Sequence, residues 1–355
     1  MASVADLSHP ERKDQNAPKL ADSGRSRMGA VTGFELAATG SYVPETVVRN
    51  EDLAELGCDS DWIVQRTGIK ERRRAEEGIA SSDLAFHAAE RCLAAANTKP
   101  SDVDLILVAT LTPDHATPST ACHLQGKLGC IAPALDVNAA CAGFMYALVT
   151  AGQFVSSGSS QCALVVGAEV MSRTVNPQDV KTYPLFGDGA GAALLRPSEQ
   201  DGMGLTSYTL GSESCGGASL CIPSGGSRMP LSPEAIADGQ HFMRMEGRAV
   251  FKWAVRVVAE SCKDCLSHAN LTVSNIDLLI LHQANARIID SAVDDIGIDR
   301  EKVVVNVNRY GNTSAASIPL ALDEAMAQGR IKPGSRVMLS GFGGGLAWGT
   351  AILQV

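Results

Sequence analysis

With 355 residues, 45% of them hydrophobic and 19% charged, the chain is long enough to bury a large core or the equivalent of two domains' cores. A formal net charge of −9 argues against a general nucleic-acid binder, and no apolar run approaches the length that crosses a bilayer. Ten irregularly spaced cysteines make no secreted disulfide framework, and no apolar stretch near Met1 reads as a signal peptide, so a reducing cytoplasm is the expected setting.

Residues 1–28 mix charged and polar side chains with Pro10 and Pro18 and show no hydrophobic period, which predicts a disordered N-terminal extension. After that, short apolar runs alternate with helical stretches, the pattern of an α/β domain. A helix over 82–96 precedes a strand at 103–109. A strand at 135–138 then leads through a turn of small residues into a helix ending near 156, followed by a strand at 163–168. The same order returns later: a helix over 246–268, a strand at 276–282, a strand at 303–308, a second small-residue turn, a helix to about 328 and a strand at 336–340. Two copies of one βα unit predict a duplicated fold with a pseudo-dyad, its halves spanning 29–200 and 201–355.

The two turns hold the candidate chemistry. Asp104 and Asp277 open the related strands, and Cys141 and Asn312 follow them at nearly equal spacing. Cys141 stands in NAACAGF, where small side chains permit close backbone approach and a helix start favours a thiolate. His282 ends the second-copy strand at the place that Ala109 holds in the first. Taken singly, these residues have ordinary readings: a small buried hydrophobe, a satisfied core histidine, and a turn or cap asparagine. The duplication sets them apart, because halves packed face to face bring both turns to one centre. Cys262 and Cys265 form a CxxC, but the pair lies in a helical pattern with no second CxxC to complete a metal site, so a structural role is expected. Arg248, Lys252 and Arg256 share one helical face, suited either to an acidic carrier protein or to water.

The stretches DVNAACAGF, LHQANARI, NRYGNTSAASIP, FGGGLAWGT, DWIVQRTGIKER and FGDGAGAALL closely resemble β-ketoacyl-acyl-carrier-protein synthase III, a condensing enzyme of the thiolase superfamily. The resemblance runs from about Gly29 to Val355. It implies a five-layered αβαβα thiolase fold, a homodimer, and a ping-pong Claisen condensation of an acyl thioester with malonyl-acyl-carrier protein. Cys141 would be the acylated nucleophile and His282 with Asn312 the decarboxylation pair. The backbone N–H groups of Cys141 and Gly344 would form the oxyanion hole. Trp62, Arg66, Asn285 and Arg287 would line the entrance for coenzyme A or the carrier protein. No metal or organic cofactor is implied, since loss of CO2 drives the condensation; coenzyme A or the carrier's phosphopantetheine serves as substrate carrier.

Two positions depart from the family's pattern. In ATLTPDHATPST, Thr117 stands where many acetyl-primed relatives place a Phe that closes the acyl pocket across the dimer, so a primer longer than acetyl is expected. Val180, followed by Lys181, stands where coenzyme A-dependent relatives often carry an Arg opposite the Trp, which leaves an acyl-carrier protein as a donor besides acyl-coenzyme A. Within the superfamily, a thioester-primed ketide synthase or an acyltransferase of a specialised pathway is the alternative. A non-catalytic partner subunit is disfavoured because the chain keeps Cys141, His282 and Asn312. From another class, a papain-like cysteine hydrolase shares the chain order Cys, His, Asn.

Overall fold

The computed structural model describes residues 26–355 and builds them around two five-stranded sheets. The first sheet runs Phe34–Tyr42, Asp188–Pro197, Ala163–Val170, Leu105–Ala109 and Ala134–Val137 from edge to edge. Leu105–Ala109 is parallel to both its neighbours, while Asp188–Pro197 is antiparallel to both of its own. The second sheet runs Ser26–Thr32, Gly204–Ser212, Ala347–Gln354, Arg336–Gly343 and Leu278–Leu281. With Ser26–Thr32 set aside, its strands repeat the order and the directions of the first.

The acidic residue that opens each repeat has one job in both copies. The Asp104 carboxylate accepts hydrogen bonds from the N–H groups of Gln161 and Cys162 at 2.7 and 3.1 Å, and Asp277 accepts from Arg336 at 2.8 Å. Each thereby pins the start of the neighbouring parallel strand. The strand LILVA is buried along its whole length, as a strand covered on both faces requires.

Two central helices, Gly143–Ser156 and Ser317–Ala327, lie between the sheets. Their Phe144, Leu148, Ile318 and Leu322 share one core with residues of both sheets, among them Val165 and Leu339. Helices Ser81–Ala95 and Thr120–Leu128 cover the outer face of the first sheet, and Gly247–His268 and Ala286–Ile296 that of the second. The result is the five-layered αβαβα thiolase arrangement. Cys262 and Cys265 are buried in the outer core of the second half, where burial pushes both thiols up, in keeping with a structural role.

Two expectations need correction. Residues 1–25 of the expected extension lie outside the described residues, but Ser26–Met28 belong to a strand that pairs with Gly204–Ser212. That strand joins the sheet of the C-terminal half, so the N-terminal repeat begins at Phe34 rather than at Gly29. Ser26–Thr32 is an edge strand held by backbone hydrogen bonds, and of its residues only Val31 is buried, so no hydrophobic period marks it. The second difference concerns the strand expected at 303–308. Only Val303 bridges Leu279, and Val307–Tyr310 forms a short helix instead. The side-chain oxygen of buried Gln283 accepts from the N–H groups of Asn306 and Val307 at 2.9 and 3.2 Å, taking the donors that a strand would give to its neighbour.

The halves meet through glycine. A Cβ on Gly167 would run into the carbonyl oxygen of Ala315, and one on Gly343 would stand 2.7 Å from the backbone nitrogen of Cys141. Gly167→Ala should therefore lower the unfolding free energy by about 1–3 kcal/mol, read as a lower urea midpoint, because backbone and not a yielding side chain blocks the new methyl. An unchanged midpoint would mean that the halves can part at no cost.

Candidate active site

The two turns are built alike. Asn138 accepts a hydrogen bond from the N–H of Ala140 at 3.2 Å, and Asn312 accepts from the N–H of Ser314 at 2.8 Å. Ala140 and Ser314 then take positive φ values of 46° and 49°, a region that side-chain-bearing residues seldom adopt. Each opens a short 3-10 turn, Ala140–Ala142 or Ser314–Ala316, that feeds a central helix. Asn138 is thus the structural mate of Asn312, and Ala315 that of Cys141. The sequence reading found the right turns but paired residues three positions apart within them.

Cys141, His282 and Asn312 line one cavity of about 600 Å³, together with apolar side chains that include Leu111, Ile222 and Met243. Burial pushes the Cys141 thiol up to about 12; the Ser314 side chain opposes that rise, and the nearby Glu169 charge adds to it. The thiolate expected at a helix start is therefore not the favoured form here, because removing water from the sulfur outweighs the help of the turn.

His282 follows Leu278–Leu281, and its own N–H donates to the Ser340 carbonyl at 2.8 Å. Its Nδ1 lies 2.6 Å from the Ser317 hydroxyl, and its ring meets Phe342 edge-on at 5.1 Å. Burial pulls its pKa down to about 3, so the imidazole is neutral around pH 7. Asn312 hands its Oδ1 to Ser314, which leaves its Nδ2 as the free donor end of the amide.

Sequence reasoning missed Glu169, Ser314 and Ser317. Glu169 is wholly buried at the end of Ala163–Val170, directly behind the Ser314 turn. A lone charge in the apolar run ALVVGAEV is the signal that marks it. Ser317 carries no such signal, since a serine at a helix start reads as a cap.

A wider groove shares Leu185, Met245, Gly247, Phe251 and Asn285 with the cavity and so opens into it. Trp62, Arg66 and Arg287 line this groove, as do Lys181, Arg248 and Lys252; Arg256 lies outside its lining. Arg66 stacks over the Trp62 ring at 4.2 Å, and Val180 packs into the small apolar cluster that also holds Trp62. Asn285 lines both spaces, yet its side chain caps Ala286–Ile296 by accepting from Arg287 N–H and donates to the Arg66 carbonyl. Gly344 lies at the cavity beside Ala140 and Leu220. Thr117 is exposed and does not line the cavity.

Two family models match the chain: 3-oxoacyl-[acyl-carrier-protein] synthase III over residues 135–214, and the C-terminal part of the same enzyme over residues 266–355. A relative from Rhodopirellula baltica, named β-ketoacyl-[acyl-carrier-protein] synthase III, is 60% identical over 92% of this chain and 100% of its own. The chain belongs to this family. A synthase III of the same name from Symbiobacterium thermophilum is 50% identical over 90% of this chain and 97% of its own. The crystal structure of the Thermus thermophilus synthase III covers 90% of this chain and 99% of its own with a TM-score of 0.84 at 44% identity. Members are condensing enzymes of the acyltransferase type, so the papain-like hydrolase reading falls: the order Cys, His, Asn is shared, but the fold is not. No helix among the described residues is long and apolar enough to cross a membrane.

The buried neutral imidazole makes a thermodynamic prediction. The unfolded chain takes up a proton on His282 near pH 6.5, while the folded chain resists until about 3. The contribution to stability is complete above about pH 6.5 and is lost as pH falls toward 3. The difference in unfolding free energy between the native chain and His282→Gln should therefore vary over that window and be flat above it. A pH-independent difference would show that the imidazole keeps its ordinary pKa in the folded state.

Proposed function

We propose that the family's reaction, decarboxylating condensation of an acyl primer with malonyl-acyl-carrier protein, runs in ping-pong fashion through an acyl thioester on Cys141. The observation that carries this reading is the convergence of Cys141, His282 and Asn312 on one cavity at the meeting of the two halves. Attack by sulfur places negative charge on the thioester oxygen, and the N–H groups of Cys141 and Gly344 are the proposed donors to it; such a donor contributes roughly 3–4 kcal/mol elsewhere. In the second half-reaction malonyl loses CO2 and charge develops on its thioester oxygen. The Asn312 amide donates there through Nδ2. His282 donates through Nε2, with the Ser317 hydroxyl giving its proton to Nδ1, a tautomer assigned from the neutral ring. The resulting carbanion attacks the acyl-cysteine. No cofactor takes part.

The groove's cluster of Arg66, Lys181, Arg248, Lys252 and Arg287 on a chain of net charge −9 supports its use by the phosphates of acyl-coenzyme A or by an acidic acyl-carrier protein. A homodimer is part of the reading. The edge strand Ala134–Val137 leaves Leu135 exposed, and Ile131 just before it is 97% exposed, an unpaired apolar edge suited to a second copy. Asp136 of that strand holds the N–H groups of Thr120 and Ala121, so the Thr117 loop lies at the same edge, where it is proposed to reach the partner's acyl pocket. Ten irregularly spaced cysteines that make no disulfide framework support a cytoplasmic location.

Intact-protein mass and CO2 release separate the two half-reactions. Cys141→Ser should gain no acyl mass from any thioester donor. His282→Ala and Asn312→Ala should still acylate but lose decarboxylation by roughly 10²–10³, the cost of an oxyanion-type donor. Equal losses in both steps would overturn this division of labour.

Primer length has its own test. Thr117→Phe should depress acylation by medium and long acyl chains while sparing acetyl, since each excluded methylene forfeits about 0.8 kcal/mol. Coincident chain-length profiles for the two proteins would remove Thr117 from the acyl pocket.

A further inference from the structure

The condensation leaves one proton unassigned. Cys141 must lose its S–H proton on acylation and recover it at the end of the cycle, yet its sulfur is buried. His282 is a poor acceptor, being neutral with a pKa of about 3. Behind the sulfur, however, lies a second set of polar groups that the reaction as described does not use.

Glu169 is the centre of that set. Its Oε1 accepts from the Ser314 hydroxyl at 2.9 Å and from the N–H groups of Leu111 and Ala315 at 3.2 and 3.4 Å. Its Oε2 accepts from the Thr112 hydroxyl at 2.5 Å, the Thr110 hydroxyl at 3.1 Å, and the N–H groups of Leu111 and Thr112, both at 3.1 Å. The elements packed against the carboxylate thus present amides and hydroxyls from 110–112 on one side and from the Ser314 turn on the other. The titratable group facing them is Cys141. Ser314 donates to Glu169, and its side chain acts on the Cys141 thiol, opposing the rise that burial imposes on it. Because its single O–H is given to the carboxylate, its oxygen lone pairs remain to accept the thiol proton.

We propose that Ser314 and Glu169 form a buried relay that takes the Cys141 proton as the primer is transferred and returns it when the condensation is complete. The proposal rests on Cys141 being the acylated nucleophile. As the sulfur–carbonyl bond forms, the S–H proton passes to Ser314 Oγ and the Ser314 proton passes to Glu169 Oε1. The carrier's C–S bond breaks, and its thiolate leaves to be protonated by solvent. The acyl-enzyme then holds a neutral carboxylic acid. In the second half-reaction the malonyl carboxylate leaves as CO2, its electron pair forms the new C–C bond, and the Cys141–acyl bond breaks to a thiolate. That thiolate recovers the stored proton through Ser314, and Glu169 is again a carboxylate.

The electrostatics favour this order. Burial raises Glu169 to about 7, which makes it a far better base than His282 and matches it to a neutral working pH. Storing the proton also discharges Glu169 while the malonyl anion and its carbanion occupy the cavity, where a second buried negative charge would repel them. Glu169 does not touch the substrate and acts only through Ser314, so its test needs a readout that a packing role would not move.

The protein is acylated with acetyl-coenzyme A and, separately, octanoyl-coenzyme A at about pH 8, a unit above the Glu169 value. Intact mass reports acylation, and infrared difference spectroscopy reports carboxyl protonation. Acylated minus free protein should gain a protonated-carboxyl C=O band, sensitive to D2O, that Glu169→Gln lacks. The acylation rate should rise through pH 7 and then level. Glu169→Gln should lose that inflection and about 10²–10⁴ in rate, the usual worth of a general base, and Glu169→Asp should regain an inflection. Acyl mass on Cys141 with no new carboxyl band, or a Glu169→Gln pH profile like that of the native chain, overturns the relay and leaves the Cys141 reading standing. If neither donor, nor the same acyl groups carried on an acyl-carrier protein, adds its acyl mass at Cys141, both fall.

Discussion

The close approach of two repeated sheets across a shared pair of helices is the constraint on which the site depends. Each sheet ends its inner strand against the turn of the opposite half, with Gly167 meeting Ala315 and Gly343 meeting Cys141. Any Cβ at either glycine would hold the halves apart. With that separation set by backbone, a cysteine from one repeat and a histidine and an asparagine from the other come to line a single cavity. The positive φ values at Ala140 and Ser314 are part of the same geometry, since each sharp turn aims the start of a helix at the centre.

Depth has a price in charge. The ionisable groups at and behind the cavity wall are driven toward their neutral forms, the Cys141 thiol and the Glu169 carboxyl upward and the His282 imidazole downward, with loss of water as the leading cause in each. Neutral donors suit an enzyme whose second step builds negative charge on substrate, because they stabilise the new charge without attracting a counter-charge beforehand. The same burial makes a thiolate at Cys141 costlier than it would be at a surface thiol. Outside the cavity the logic reverses. The groove carries Arg66, Arg248, Lys252 and Arg287 in contact with water, where charge is cheap to hold and acts at range on an anionic carrier.

Two residues beside the cavity serve the scaffold. Asn285 caps a helix and ties it to the Arg66 carbonyl, so its place at the junction of groove and cavity comes with a structural duty. Gln283, one residue from His282, replaces a strand partner with its side-chain amide and so shapes the segment leading to Asn312. Changes at either position would disturb the geometry of neighbours that line the cavity.

The sequence by itself determined the architecture and singled out three polar residues that line one cavity. Hydrophobic period and repeated order are local properties, and a duplication writes each of them twice, so Asp104 and Asp277, the parallel strands behind them and the two small-residue turns were all legible. The edge strand Ser26–Thr32 was not, because an edge is held by backbone hydrogen bonds that leave no apolar pattern. Only the tertiary structure decided that Asn138 rather than Cys141 is the mate of Asn312, that burial raises the helix-start thiol, and that Glu169, Ser314 and Ser317 stand beside the residues lining the cavity. These are facts about loss of water and about contacts between residues far apart in the chain, and neither is encoded in the spacing of any one segment.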